Sequence, residues 1–176
     1  MTPDGAISTE LEPVEAALLT QLASQVAGLI GEPTSSDVPD PALLRLLPDA
    51  YPGDAEASAE FRRFTAEGLA ERKVRNAQTM IVDVADAVTA DAQTEVQLTV
   101  ESVQSWLRTL TDIRLVLATR LGILDDADAR AADGEADDDE ADDDDIDSEA
   151  DQKLMLADVY EWLGWVQESL VSAIDR

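Results

Sequence analysis

A chain of 176 residues with neither cysteine nor histidine has a narrow chemical repertoire. Thiolate nucleophiles, disulfides, zinc sites built from Cys and His, and histidine acid/base catalysis are all excluded. Any reaction would fall to carboxylates, Lys, Ser, Thr or Tyr. Among 39 acidic residues, carboxylate pairs at helical spacing arise by chance and single out no acid/base dyad. The residues therefore point to no catalytic, cofactor-binding or metal position, and no cofactor is expected.

Three groups of side chains still ask for an explanation. The first is the acidic run at 125–151, DDADARAADGEADDDEADDDDIDSEAD, with sixteen acids against one base, Arg130. An EF-hand loop needs oxygen ligands at positions 1, 3 and 5, Gly at 6 and Glu at 12. A loop starting at Asp126 puts Arg130 at position 5 and Ala131 at 6, and one starting at Asp143 puts Leu154 at 12. Neither register works. With Ile146 as its one large apolar residue, the run buries too little to offset ordering entropy. It reads as a solvated, disordered insertion, with a specific cation or partner site as the alternative.

The second group is basic. FRRF (61–64), with Arg72, Lys73 and Arg75, is the main concentration of positive charge. It reads as a solvated helix face pairing with Glu60, Glu67 and Glu71. Arg62 and Arg63 are kept as a candidate interaction surface. The third is YEWLGWVQ (160–167), where Tyr160, Trp162 and Trp165 are either core or, for at least one tryptophan, a rim residue of the kind favoured in interface hot spots.

One charge stands where a hydrophobe belongs. Val103, Leu107, Leu110, Leu117, Leu121 and Leu124 form a seam whose single gap is filled by Arg114. Either its stem lies on the core and its head reaches water, or it is buried and paired with a carboxylate. The best partner is Glu15, between Leu11 and Leu18 on the first helix's apolar side. Glu161 and Glu168 are fallbacks, and Gln167 is positioned to add a hydrogen bond.

The elements that carry these residues read as helices. The first runs from Leu11 to Ile30, with Thr9 and Glu12 as a capping box and Gly31 as a stop. EPTSSDVPD (32–40) is a connector. A short helix spans 41–47 behind the Asp40 cap. Another spans Ala55 to Val88, with a break near Thr65 or Gly68 and Ala70, Val74, Ala77, Ile81, Val84 and Val88 on its inner stripe. Thr99 caps a helix over Val100–Leu121 with Gly122 after it. The last helix spans Gln152–Ile174. Glu95–Leu98 is the sole candidate strand, and it is short. The expected fold is all-α: one domain over 8–176, a bundle of four to five helices, with the acidic insertion as a disordered loop before the last.

Charge narrows the partners. Twelve basic residues against 39 acidic ones leave a net charge of −27. Direct nucleic-acid binding and anionic membranes are disfavoured; a basic protein is the natural partner. No stretch approaches the roughly 20 apolar residues of a membrane span, and the start lacks a signal-peptide pattern, so a cytoplasmic location is expected.

ALLRLLPDAYPGD (42–54), FRRFTAEGLAERKVRNAQTMIVDV (61–84), SWLRTLTDIRLVLATRLGI (105–123) and DVYEWLGWVQESLV (158–171) together resemble the uncharacterised-domain family of the actinomycete oxidative stress regulator. LLPDAY and the Leu-x-Asp-Ile-Arg-Leu-x-Leu core are the most specific pieces. The resemblance implies a helical fold and a role in transcription control. In the regulator class that role works through a cysteine pair, which this chain lacks, so thiol sensing does not carry over; Met80 and Met155 are oxidisable, but nothing in the sequence makes them a switch. The resulting expectation is a non-enzymatic regulator or adaptor that binds a basic protein. A carboxylate-dependent enzyme and an acidic cation-binding structural protein are the alternatives.

Overall fold

A computed structural model of the chain describes residues 7–31, 40–48, 67–123 and 146–175. The connector at 32–39, the segment holding Asp54, Arg62 and Arg63, and acidic-run residues 125–145 lie outside the described residues. Within them the order is β1 (Ile7–Leu11), α1 (Pro13–Gly31), α2 (Pro41–Leu46), α3 (Glu67–Asp83), α4 (Ala85–Val88), β2 (Thr94–Leu98), α5 (Val100–Leu121) and α6 (Ile146–Ile174). The fold is mostly helical, with four long helices and two short ones among the described residues.

α5 is the central element. Thr99 caps it by accepting the Ser102 N–H at 3.1 Å. At its far end Gly122 adopts φ +77°, where its N–H reaches the Thr119 carbonyl and the Ile123 N–H reaches that of Ala118. This paired return is the Schellman arrangement, and it needs the left-handed residue that glycine supplies at no cost. α5 packs against α3 on one side and α6 on another, with α2 across its C-terminal end and α1 closing the core against α3. Trp106, Leu110 and Ile113 of α5 meet Leu19, Met80 and Leu163 in one buried cluster.

α2 is held by its termini. Asp40 accepts the Ala42 N–H at 2.8 Å and also takes Arg120 of α5 at 2.6 Å. The Arg120 hydrogen bond holds the Asp40 carboxyl below its ordinary value. Arg45 donates to the Thr119 hydroxyl and the Ile123 carbonyl, at 3.2 and 3.1 Å, and so covers the C-terminal end of α5.

The expected helical fold holds, with one local difference near the start of the described residues. Residues 7–11 form a strand, paired antiparallel with β2 in the register Ile7↔Leu98 to Leu11↔Thr94. ISTEL alternates half-buried Ile7 and Thr9 and buried Leu11 with exposed Ser8 and Glu10, the period-two signature of a half-buried strand. The first helix consequently begins at Pro13, a favoured first helical residue. The cap also moves: Glu15 reaches back to accept the Glu12 N–H at 2.8 Å, the return half of a capping box shifted three residues from Thr9 and Glu12. The buried face of α1 is Ala16, Leu19, Leu22, Ala23 and Val26, and Val14 is exposed.

Two further boundaries shift. The inner stripe of α3 bends at Val84 into α4, and Met80 is fully enclosed, leaving Met155 as the exposed methionine of the pair. α6 begins at Ile146, so the last six residues of the predicted disordered run belong to a helix. α1, with 19 residues and a mean hydropathy of 1.2, is long and apolar enough to cross a membrane. Five of its residues are buried in the domain core.

Candidate interaction surface

The α3–α5 contact contains the polar pair that sequence reasoning missed. Lys73 Nζ bonds the carboxylate of Asp112, which is buried. Burial pushes the Asp112 carboxyl above its ordinary value, and the Lys73 ammonium works against that shift. Lys73 thus departs from the solvated basic face expected of it, whereas Arg72 and Arg75 stand exposed. Nearby, the enclosed Trp106 donates its indole N–H to Asp83 at 2.9 Å. No periodicity marks Asp112, because charged side chains are written alike in sequence whether a partner helix will cover them or not.

Arg114 lies on the other side of α5, facing α6. The expected Arg114–Glu15 pair does not form. Glu15 is engaged with its own helix terminus, and Arg114 has no ion-pair partner among the described residues. Its Nη1 donates instead to Gln167 Oε1 at 3.1 Å, and its guanidinium lies over the Tyr160 ring, 4.6 Å from the centroid. The Gln167 amide nitrogen then donates to Thr111 Oγ1 at 3.1 Å, and that hydroxyl donates to the Leu107 carbonyl at 2.8 Å. A neutral amide thus links two turns of α5. The Arg114 Nε is buried without a partner. This cluster positions α6; it offers no group for chemistry.

The three aromatic residues of YEWLGWVQ have three different fates. Tyr160 lies half-buried beneath Arg114, Trp162 packs half-buried against the core, and Trp165 is 66% exposed. Helical spacing places Leu154, Asp158, Glu161, Trp165, Glu168 and Ser172 on one outward line, and every one of them is exposed. Its members are two apolar residues, three acids and a serine, with no base. Glu161 and Glu168, the fallback partners for Arg114, belong to this outer face and not to the seam.

Beside this line lies a groove of about 270 Å³. One wall is β1 with Glu12 and Glu15, the other is α6 at Trp162, Trp165, Ser169 and Ala173, and Trp106 and Leu170 lie between them. Trp165, Ser169 and Ala173 also border a shallower depression reaching Glu168 and Ser172. Among the described residues no group of three or more acids is arranged to hold a metal ion. A family model described as a domain of unknown function (DUF2017) matches residues 1–174. Neither the curated proteins nor the solved structures contain a match to the chain.

Proposed function

We propose, from the premise that the chain belongs to the DUF2017 family, that it is a non-enzymatic regulatory or adaptor protein that binds a basic protein partner. The observation that supports this is Trp165, a large indole left 66% exposed within a file of carboxylates on α6. A solvated face has no need of a tryptophan there. A contact surface does, because aromatic anchors carry much of an interface's energy and surrounding charges set its on-rate. The face suits a basic partner better than a second copy, which would bring the same acids against themselves. The resemblance to the oxidative stress regulator favours a partner in the transcription machinery and a cytoplasmic setting. Without cysteine, control would act through binding and not through a thiol.

The test is binding kinetics. A captured basic partner should associate several-fold more slowly as salt rises from low to physiological strength, where the screening length is about 8 Å. The combined variant Asp158→Lys, Glu161→Lys, Trp165→Ala should lose most of the affinity with unchanged helicity. A partner that holds the variant as tightly as the parent chain would discard this surface.

A further inference from the structure

β1 is paired on one side. Its ladder with β2 is the whole sheet among the described residues, and no second strand lies along its other edge. All five residues of β1, continued by Glu12, form one wall of the groove against α6. An unpaired strand edge beside an apolar trough is the geometry by which sheets take up an extended peptide: the main chain bonds to the edge and side chains drop into the trough. The groove's 270 Å³ falls below the roughly 300–1,000 Å³ of small-molecule pockets, which suits one or two side chains of a longer chain.

Its charge is specific. The lining includes Glu10, Glu12 and Glu15 and contains no Lys or Arg among the described residues. Glu10 stands directly opposite Glu95 on β2, and both are exposed. Like charges in that position destabilise a sheet, and a cation arriving beside Glu10 would relieve them. Trp165 and the half-buried Trp162 close the other wall.

We infer that this groove receives an extended basic segment of a partner protein, laid along the free edge of β1. One large apolar side chain of that segment sits against Trp162, Trp165 and Leu170, and flanking Lys or Arg residues face Glu10 and Glu12. This rests on the reading that the partner is basic, and adds the site, the backbone conformation and the sequence chemistry recognised.

A displayed library of random twelve-residue peptides, selected against the full chain, tests it. The expected yield is peptides with Lys or Arg on both sides of Leu, Ile, Phe or Trp. As synthetic peptides they should bind about ten-fold more weakly or worse to Glu10→Lys and to Ser169→Trp, which fills the trough. They should also slow hydrogen exchange at the β1 amides. Ser169→Trp should unfold thermally like the parent, and Glu10→Lys, which sets a cation opposite Glu95, at or slightly above it. Basic peptides that lose binding only with Asp158→Lys and Glu161→Lys, and leave β1 exchange unchanged, overturn the groove and leave the basic-partner reading standing. A selection that enriches no basic sequences overturns both. A concentration-dependent dimer abolished by Ser169→Trp assigns the groove to a second copy and overturns the inference.

Discussion

The two long seams of α5 solve the same problem in opposite ways. Toward α3, a buried carboxylate meets its opposite charge, Asp112 with Lys73, and Asp83 accepts the Trp106 indole N–H. Toward α6, a cation is covered by neutral groups, the Gln167 amide and the Tyr160 ring. The first seam is closed by tryptophan on the inside, with Trp106 fully buried; the second leaves tryptophan outside, with Trp165 exposed. The contrast separates folding from display. Polar groups on the α3 side are bound tightly enough that neither partner is spare. On the α6 side the helix is docked by Leu163, Val166 and Leu170, and its outer face leaves Trp165 exposed.

If that division holds, the largest loss comes from the closed seam. Trp106→Ala removes an enclosed indole and strands Asp83. Truncating a buried aromatic costs about 3–5 kcal/mol, and we expect a value in that range from urea denaturation. Trp165→Ala should stay within about 0.5 kcal/mol of the parent, the usual span for surface changes. Similar costs for the two tryptophans would erase the comparison.

The buried ion pair comes next. Lys73→Ala leaves the Asp112 carboxylate unpaired, which typically costs about 3–5 kcal/mol; the 17% exposure of Lys73 places the expectation at the low end. The double change Lys73→Met, Asp112→Leu should recover most of it, since apolar replacements of a buried pair are often neutral. The pH dependence has a definite sign. Because burial raises the Asp112 carboxyl above 3.8, the folded chain holds that proton more tightly than the unfolded one. Its contribution is therefore fully present below 3.8 and is lost as pH rises through the folded value. Asp40, held down by Arg120, runs the other way: its contribution is present above 3.8 and lost as pH falls. Asp112→Asn should thus gain stability relative to the parent chain on going from about pH 4 to neutrality. A difference that is flat with pH would show that Asp112 titrates alike in both states.

How far these features were legible follows from their range along the chain. α5 was readable to the residue because its cap, periodicity and glycine stop are all local: Thr99, a run of spaced hydrophobes, Gly122. The Asp40–Pro41 start of α2 was readable for the same reason. β1 was not, because Thr9 and Glu12 satisfy a capping-box pattern as well as Ser8 and Glu10 satisfy strand alternation. What decides between them is β2, more than eighty residues away in the register Ile7↔Leu98. The same limit hid the Lys73–Asp112 pair, whose members are 39 residues apart. It hid the groove too, since its walls come from opposite ends of the chain. Trp165 was legible as a rim candidate, although the sequence did not say which tryptophan would face out.

Arg114 sharpens the comparison at its smallest scale. The sequence left two readings for it: a head that reaches water, or a buried charge paired with a carboxylate, Glu15 first in line, because an unpaired buried charge is too costly. The structure meets the cost differently. The residue is half-buried and not enclosed. Gln167 accepts one of its N–H groups, and the Tyr160 ring supplies a negative face. A hydrogen bond to a charged group is worth about 1.5–3 kcal/mol and an exposed cation–π contact about 0.5–1. Against these stands the desolvated Nε that finds no acceptor. Arg114→Met keeps the stem and removes both the charge and the orphan donor, so its expected cost is about 1 kcal/mol, well below that of Lys73→Ala. Glu15→Gln should add nothing to it. In a double-mutant cycle the coupling of positions 114 and 15 should lie within the roughly 0.3–0.5 kcal/mol seen for independent sites. Positions 114 and 167 share a bond and should exceed that. Coupling to Glu15 as strong as to Gln167 would mean that α6 is not what holds Arg114 in place.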